Sequence, residues 1–473
     1  MALLATASPA QAAQRVYALV VTGEQPAAVR GRGAVGLYVP GQGLYVSREE
    51  ALERLGPLPQ MSCGAIGRCP FELFVSVPPL GAQTNDTRYQ VTILGGGAHG
   101  ILTSDSTRIP GLIAISDIPK TVAALEEGRD PPLKWRESDD PEEQLRHLDE
   151  RLTDARDAQI PATVTLTLAL LALVAAALVT RSALVARTAL LYPLAAIVLA
   201  LLASALELVG PVETTLVVLL GVPLGYAVAR WVPLTLAVPV FLGLYGLVLA
   251  LSPETNSLMA IGPHPWSGGR FYGVTNMIET LLLGPALAVG ALVGGWRLAG
   301  LALLAVVVVG ASETGADGGG ILVFATGFAV LWLLLNGRPR SIPWAFAAVV
   351  LFGLAFVGID ALAGGSSHVV DAVSEGPGHL VDVLRERAER SVSIATSSVW
   401  QLAALLGGLA ALVYFATLRP RYPVVDAFLV ATAVSLVVND SPTKVAGYGA
   451  LVCAALRAWS VSTTPRVGID SPS

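Results

Sequence analysis

"PATVTLTLALLALVAAALVT", residues 161–180, follows almost directly on "SDDPEEQLRHLDERLTDARDAQ", residues 138–159. The first stretch carries no charge. As a helix it rises about 30 Å, the thickness of a bilayer's hydrocarbon core. The second is dense in both signs of charge, so the junction divides a polar N-terminal part from a membrane part. Apolar runs of similar length recur from Pro161 to the C-terminus. The whole chain of 473 residues is 53% hydrophobic and 14% charged, against about 25% charged in soluble domains. The class is a polytopic α-helical membrane protein of about eleven spans with a small N-terminal α/β extracytoplasmic domain. The net charge of −5 selects no partner, and no basic patch with interleaved aromatics suggests nucleic acid.

Residues 1–13 read as a signal-peptide remnant or a disordered terminus, ending in the Ala10–Gln11–Ala12 pattern of a cleavage site. Residues 14–137 hold β-rich runs bounded by Gly and Pro at 16–22, 34–39, 71–77, 89–94 and 112–116. Ser47 and Glu50 have capping-box spacing. "SDIPKTVAALEEG" predicts a capped helix with Pro119 in its first turn and Gly128 past its end. Strands alternating with helices predict an α/β domain. "GAHGILTSDSTR" reads as a Gly-rich loop and turn. Cys63 and Cys69 predict a disulfide if this part lies outside the cytoplasm.

Residues 138–160 form a charged connecting helix with Leu145, Leu148, Leu152 and Ala155 on one face. That stripe docks on its own domain or makes a short coiled-coil contact with a protein partner. The helical bundle occupies 161–462, with spans near 162–180, 188–208, 214–229, 232–251, 277–295, 298–311, 319–335, 342–363, 398–417, 424–438 and 444–461, and a cytoplasmic tail at 463–473. The third, sixth and tenth are short enough to be re-entrant. With the N-terminal domain outside, every inner connection carries arginine: Arg181 and Arg187, Arg230, Arg297, Arg338 and Arg340, Arg419 and Arg421, then Arg457 and Arg466. This is the positive-inside pattern of a plasma-membrane protein.

That orientation puts three polar motifs on the outer side: "GGRFYGVTN" (268–276), "ETGADGGG" (313–320) and "NDSPTK" (439–444). Each precedes an inward-running helix. Capping accounts for Asn276 with Glu279, for Asp317 and for Ser441 before Pro442. It does not account for Arg270, Tyr272, Lys444 or the three consecutive glycines at 318–320. Glycines admit close approach, helix N-termini attract anions, and converging helix ends build sites inside membranes. Arg270, Tyr272, Asn276, Glu279, Asp317, Asn439, Asp440, Ser441 and Lys444 are the candidate substrate-binding residues. No catalytic residue is singled out, and cofactor and metal stay open: Asp317, Asp440 and Glu279 are counter-ions or could hold a divalent cation against a phosphate. Gly290 and Gly294 form a GxxxG helix-packing pattern. Residues 379–395 predict an interfacial amphipathic helix. His264 and His368 read as outer-loop residues.

"ILTSDSTRIPGLIAISDIPKTVAAL" (101–125) resembles Gram-positive, particularly actinobacterial, membrane proteins whose extracytoplasmic domain looks like a reduced alkaline-phosphatase-superfamily fold. Asp117, Ile118, Pro119, Lys120 and Thr121 correspond to that superfamily's Asp-x-x-Pro-Thr-like helix start. "GAVGLYVPGQG", "GGRFYGVTN", "GADGGG" and "NDSP" are similar as well. The superfamily's metal ligands and nucleophile are missing. Thr22-Gly23 replaces the Asp-Gly after the first strand, and His99, Ser104, Asp105 and Ser106 are too few for a two-metal centre. The resemblance implies a degenerate, non-catalytic domain.

The expected function is an envelope protein whose outward-facing polar site binds and transports an anionic or phosphate-bearing substrate. Arg270 and Lys444 attract the charge, Tyr272 and Asn276 position it, and Asp317 and Asp440 act as counter-ions, metal ligands or proton carriers. The alternatives are an extracytoplasmic transferase on a lipid-linked envelope precursor, and a membrane scaffold acting through its ectodomain or helix 138–159. Membrane lipid is a partner in all three.

Overall fold

The computed structural model describes residues 16–22, 25, 29, 31–42, 45–58, 70–362, 391–392 and 395–463. The signal remnant, Cys63, Cys69, His368, most of the expected interfacial helix and the C-terminal tail lie outside the described residues. The chain forms two compact units. One comprises the residues up to Arg156 together with His264–Tyr272; the other comprises Asp157–Pro263 and the residues from Gly273 onward.

The N-terminal unit is built on a mixed sheet. Its strands are β1 (Val16–Thr22), β2 (Ala34–Tyr38), β4 (Phe71–Val77), β6 (Tyr89–Gly95), β7 (Gly100–Ser104), β8 (Leu112–Ile113) and β9 (Leu133–Arg136). They run in the order β1-β4-β6-β2-β7-β9, with β8 pairing β2. The short β3 (Tyr45–Val46) and β5 (Gln83–Thr84) pair separately. Every residue of β4 is buried, as a strand with neighbours on both edges and cover on both faces requires. Helix α1 (Arg48–Leu55) starts as its spacing predicts, with the Ser47 hydroxyl accepting from the Glu50 N–H. Helix α2 (Asp117–Glu126) departs from expectation at its start: Ser116 sits in αR geometry and makes no side-chain cap bond. Gly128, at φ 68°, takes the left-handed position past the helix end.

"GAHGILTSDSTR" contains a strand as well as a turn. Ile101 and Leu102 are buried, and β7 pairs β2 on one side and β9 on the other. The glycines hid it, because Gly100 at φ 85° begins the strand close against the Arg136 carbonyl.

Helix α3 runs without a break from Pro141 to Thr180. No break in the helix marks the expected boundary near residue 160, although the two compact units divide between Arg156 and Asp157. Pro161 removes one intrahelical hydrogen bond without ending the helix. In its charged part Leu145, Leu148, Leu152 and Ala155 are all buried. A Cβ on Gly111 would lie 2.9 Å from the Leu145 side chain and 3.0 Å from Leu148. Arg88 clamps the same helix through Asp149 and Thr153.

The helical unit continues through α4 (Ala183–Ala205), α5 (Pro211–Trp231), α6 (Leu234–Leu251), the short α7 (Pro253–Ser257), α8 (Asn276–Val293), α9 (Gly295–Gly310), α10 (Gly318–Leu335), α11 (Ile342–Leu362), α12 (Val399–Thr417), α13 (Pro423–Val438) and α14 (Pro442–Thr463). Among the described residues nine helices are long and apolar enough to cross a membrane, and α9 and α13 are shorter apolar helices. These two are the sixth and tenth of the expected eleven; the third is a full 21-residue helix, α5.

Gly221 and Gly225 of α5 bring that helix against α4. A Cβ at either would stand 3.1 Å from the α4 backbone, at Ala196 and Tyr192 respectively. The GxxxG expectation at Gly290 and Gly294 is corrected. Gly290 packs on Phe328 and Leu331, but Gly294, at φ 57°, faces open space and joins α8 to α9. At the α12–α13 link, Arg457 of α14 donates to the Arg419 carbonyl at 2.9 Å.

Candidate functional site

The entry into α8 is held from two sides. Asn256, fully buried, donates its Nδ2 to the Gly273 carbonyl at 2.8 Å and accepts from the Tyr245 hydroxyl at 2.8 Å. Val274 N–H donates to the Gly315 carbonyl at 2.8 Å. A Cβ on Gly273 would meet that same Gly315 oxygen at 2.1 Å, so only glycine fits there. The motifs beginning α8 and α10 thus touch backbone to backbone.

Thr275 caps α8, with its hydroxyl accepting from the Ile278 N–H at 3.3 Å. The expected pairing of Asn276 as cap with Glu279 is corrected by one residue. Asn276 is the first helical residue, so its amide donates instead to Asp440 Oδ1 at 2.9 Å. One turn on, Glu279 is 0% exposed. It accepts from Asn439 Nδ2 at 3.0 Å and from the Ser435 hydroxyl at 3.3 Å. Asn439 also donates to Ser435 at 2.8 Å. Asp317, 3% exposed, caps α10 by accepting from the Gly320 N–H at 3.2 Å.

The glycine run has a packing explanation. A Cβ on Gly319 would stand 2.4 Å from Asn439 Oδ1 and 3.4 Å from Asp317 Oδ1. One on Gly320 would meet Val309 at 2.4 Å. The space left by these glycines is filled by the chain itself, and Asn439 takes part of it. Ser441 donates to Asp440 Oδ1 at 3.2 Å. Lys444 is half-buried in the first turn of α14, with the Asp440 carboxylate as a nearby opposite charge. The helical unit therefore gathers Asn276, Glu279, Asp317, Asn439, Asp440, Ser441 and Lys444 where α8, α10 and α14 begin.

Arg270 and Tyr272 belong to the N-terminal unit. Arg108 lies 4.5 Å over the Tyr272 ring, a cation–π contact. Gln42 donates to the Gly268 carbonyl at 3.1 Å. A Cβ on Gly268, at φ 66°, would stand 2.4 Å from the Gly41 carbonyl. The nine expected residues are thus divided between the two units, two and seven. Three further residues matter to the cluster. Ser435 stands four before Asn439 on the same helical face, a spacing that could have found it. Thr275 is a standard cap one residue earlier than the one favoured. Asn256 carries no signal in its local sequence.

Among the described residues no group of three or more His, Cys, Asp or Glu side chains is placed to hold a metal ion. No family model, curated protein or solved structure matches the chain. The resemblance to a reduced alkaline-phosphatase-like domain rests on sequence alone. Its key letters have structural work to do. Asp117, 1% exposed, accepts from the hydroxyls of Ser104 and Ser106, and Thr121 accepts from the Leu133 N–H at 3.2 Å. His99 is exposed beside Glu137, 3.2 Å away, and Asp105 faces Lys134 at 3.6 Å.

Proposed function

We propose that this chain is a multi-pass plasma-membrane protein, N-terminal unit outside and C-terminus inside, whose helical unit binds and moves a polar envelope substrate in exchange with protons. Glu279 is the proton-carrying group, and Lys444 meets a negatively charged part of the substrate. The observation that carries this reading is the burial of Glu279 at 0% exposure in an apolar bundle, held by the neutral donors Asn439 and Ser435. Ionisable side chains inside membrane spans are costly, and they recur on substrate and proton pathways. Asp440 is the opposite charge near the ammonium of Lys444, and Glu279 and Asp317 belong to the same set of helix starts. In this reading Lys444 and protonation of the acids favour an anion at the cluster.

The arginines between successive helices support the orientation. The test uses wild type, Glu279→Gln and Lys444→Met in proteoliposomes under an imposed pH gradient. Uptake of a labelled hexose phosphate is expected in wild type and is lost in both variants, while the melting temperature of Glu279→Gln stays near wild type. Gradient-independent uptake, full uptake by Glu279→Gln, or no uptake by wild type rejects the proposal.

A further inference from the structure

The N-terminal unit contains a cavity of about 690 Å³ between one face of its sheet and the first turns of α3. Leu37 pairs with Gln90 in the β2–β6 register, and Phe74 pairs with Thr92 in the β4–β6 register. That register carries Ser76 to the level of Gln90, so Leu37, Ser76 and Gln90 share the sheet face that borders the cavity. From the helix, Glu142, Leu145, Arg146 and Asp149 border it at three- and four-residue spacing. The volume falls within the range of small-molecule sites.

Two polar atoms of bordering residues are left over. Arg88 Nε donates to Asp149 Oδ1 at 2.5 Å, and its Nη2 donates to the Asp149 carbonyl at 3.0 Å and to the Thr153 hydroxyl at 2.6 Å. Its Nη1 is buried with no hydrogen-bond partner, in a side chain 3% exposed. The Ser76 hydroxyl is also buried without a partner. The neighbouring groups are occupied. Gln25 donates to the Phe74 and Gln90 carbonyls, Glu142 accepts from the Gly31 N–H, and Arg146 pairs with Glu143 and Glu150. A clamp on α3 explains Arg88 Nε and Nη2. It explains neither Nη1 nor Ser76, and buried donors left unpaired are costly.

We infer that this cavity binds a small molecule bearing an oxyanion, carboxylate or phosphate, whose oxygens accept from Arg88 Nη1 and Ser76 Oγ. The guanidinium supplies a charged, planar donor suited to both groups. Leu37 and Leu145 border the space for the carbon part of the ligand. The inference is independent of the proton-exchange site, since every residue it uses lies in the N-terminal unit.

Isothermal titration of the full chain in detergent tests it, with a hexose phosphate and succinate as probes against wild type, Ser76→Ala and Arg88→Lys. One probe is expected to bind wild type, and which one binds separates phosphate from carboxylate. Ser76→Ala should keep the melting temperature and bind about tenfold more weakly. Failure of both probes on wild type, or undiminished binding by Ser76→Ala, overturns the inference. If Arg88→Lys does not fold, Ser76→Ala alone decides.

Discussion

Asn439 donates its side-chain amide to the Glu279 carboxyl at 3.0 Å, across 160 positions of chain. The other end of that amide lies against Gly319, where a Cβ would come within 2.4 Å of Oδ1. A single neutral side chain therefore joins the starts of α8 and α10 to the link between α13 and α14.

Replacing Asn439 with Leu removes a donor from a fully buried carboxyl. Ser435 still donates to that carboxyl, and the loss of one hydrogen bond costs about 0.5–1.5 kcal/mol. The expected result is a lower melting temperature in detergent. Asn439→Gln keeps an amide but sets it one methylene further out, and it should fall between wild type and Leu.

Glycine is required at position 273 by both conformation and space. Its φ is 88°, and a Cβ would reach the Gly315 carbonyl at 2.1 Å. Gly273→Ala should destabilise by about 1–3 kcal/mol, the range for a side chain forced into left-handed geometry. Gly269→Ala is the control, since a Cβ there has ordinary clearance, 3.6 Å to its nearest atom. A thermal melt of the two variants should separate them.

The α4–α5 seam should be intolerant of bulk. Gly225→Leu drives a branched side chain into the Tyr192 backbone, already 3.1 Å from a Cβ. Gly243→Leu on α6, where a Cβ meets nothing within 4 Å, should be tolerated. Protease resistance of the purified variants reads the difference.

His99 should titrate above the usual histidine value. Its Nδ1 meets the Gly97 carbonyl and its Nε2 meets Glu137, and both favour the imidazolium. A raised folded value means that its contribution to stability is present at low pH, below the unfolded value near 6.5, and is lost as pH rises through the folded value. Glu137→Gln should move the His99 resonance midpoint downward in an NMR titration. An unchanged midpoint would leave the Gly97 carbonyl as the sole cause.

What could be read from sequence was what depends on near neighbours. The caps at Ser47 and Asp317 were legible because a hydroxyl or carboxylate three residues before an N–H is a local event. The buried stripe of Leu145, Leu148, Leu152 and Ala155 was legible because helical spacing alone defines it. The start of α8 slipped by one, because Thr275 and Asn276 are both competent caps and only the distant Asp440 gives Asn276 other employment. Strand β7 was hidden by Gly100, which serves its pairing with β9 rather than a turn. The small residues that matter to α5, Gly221 and Gly225, pass unnoticed in an apolar run until α4 is beside them. Arg270 and Tyr272 adjoin α8 in sequence yet fold with the N-terminal unit, which no local pattern announces.

The joint between Gly273 and Gly315 is made of main chain, whereas Asn276 reaches Asp440 and Glu279 reaches Asn439 only through side chains. Main-chain seams do not re-form in a second arrangement without rebuilding the turns on either side; side-chain bridges can be exchanged by a change of rotamer. A rearrangement that keeps these turns intact carries the starts of α8 and α10 together, and the exchangeable bridges are Asn276–Asp440 and Glu279–Asn439.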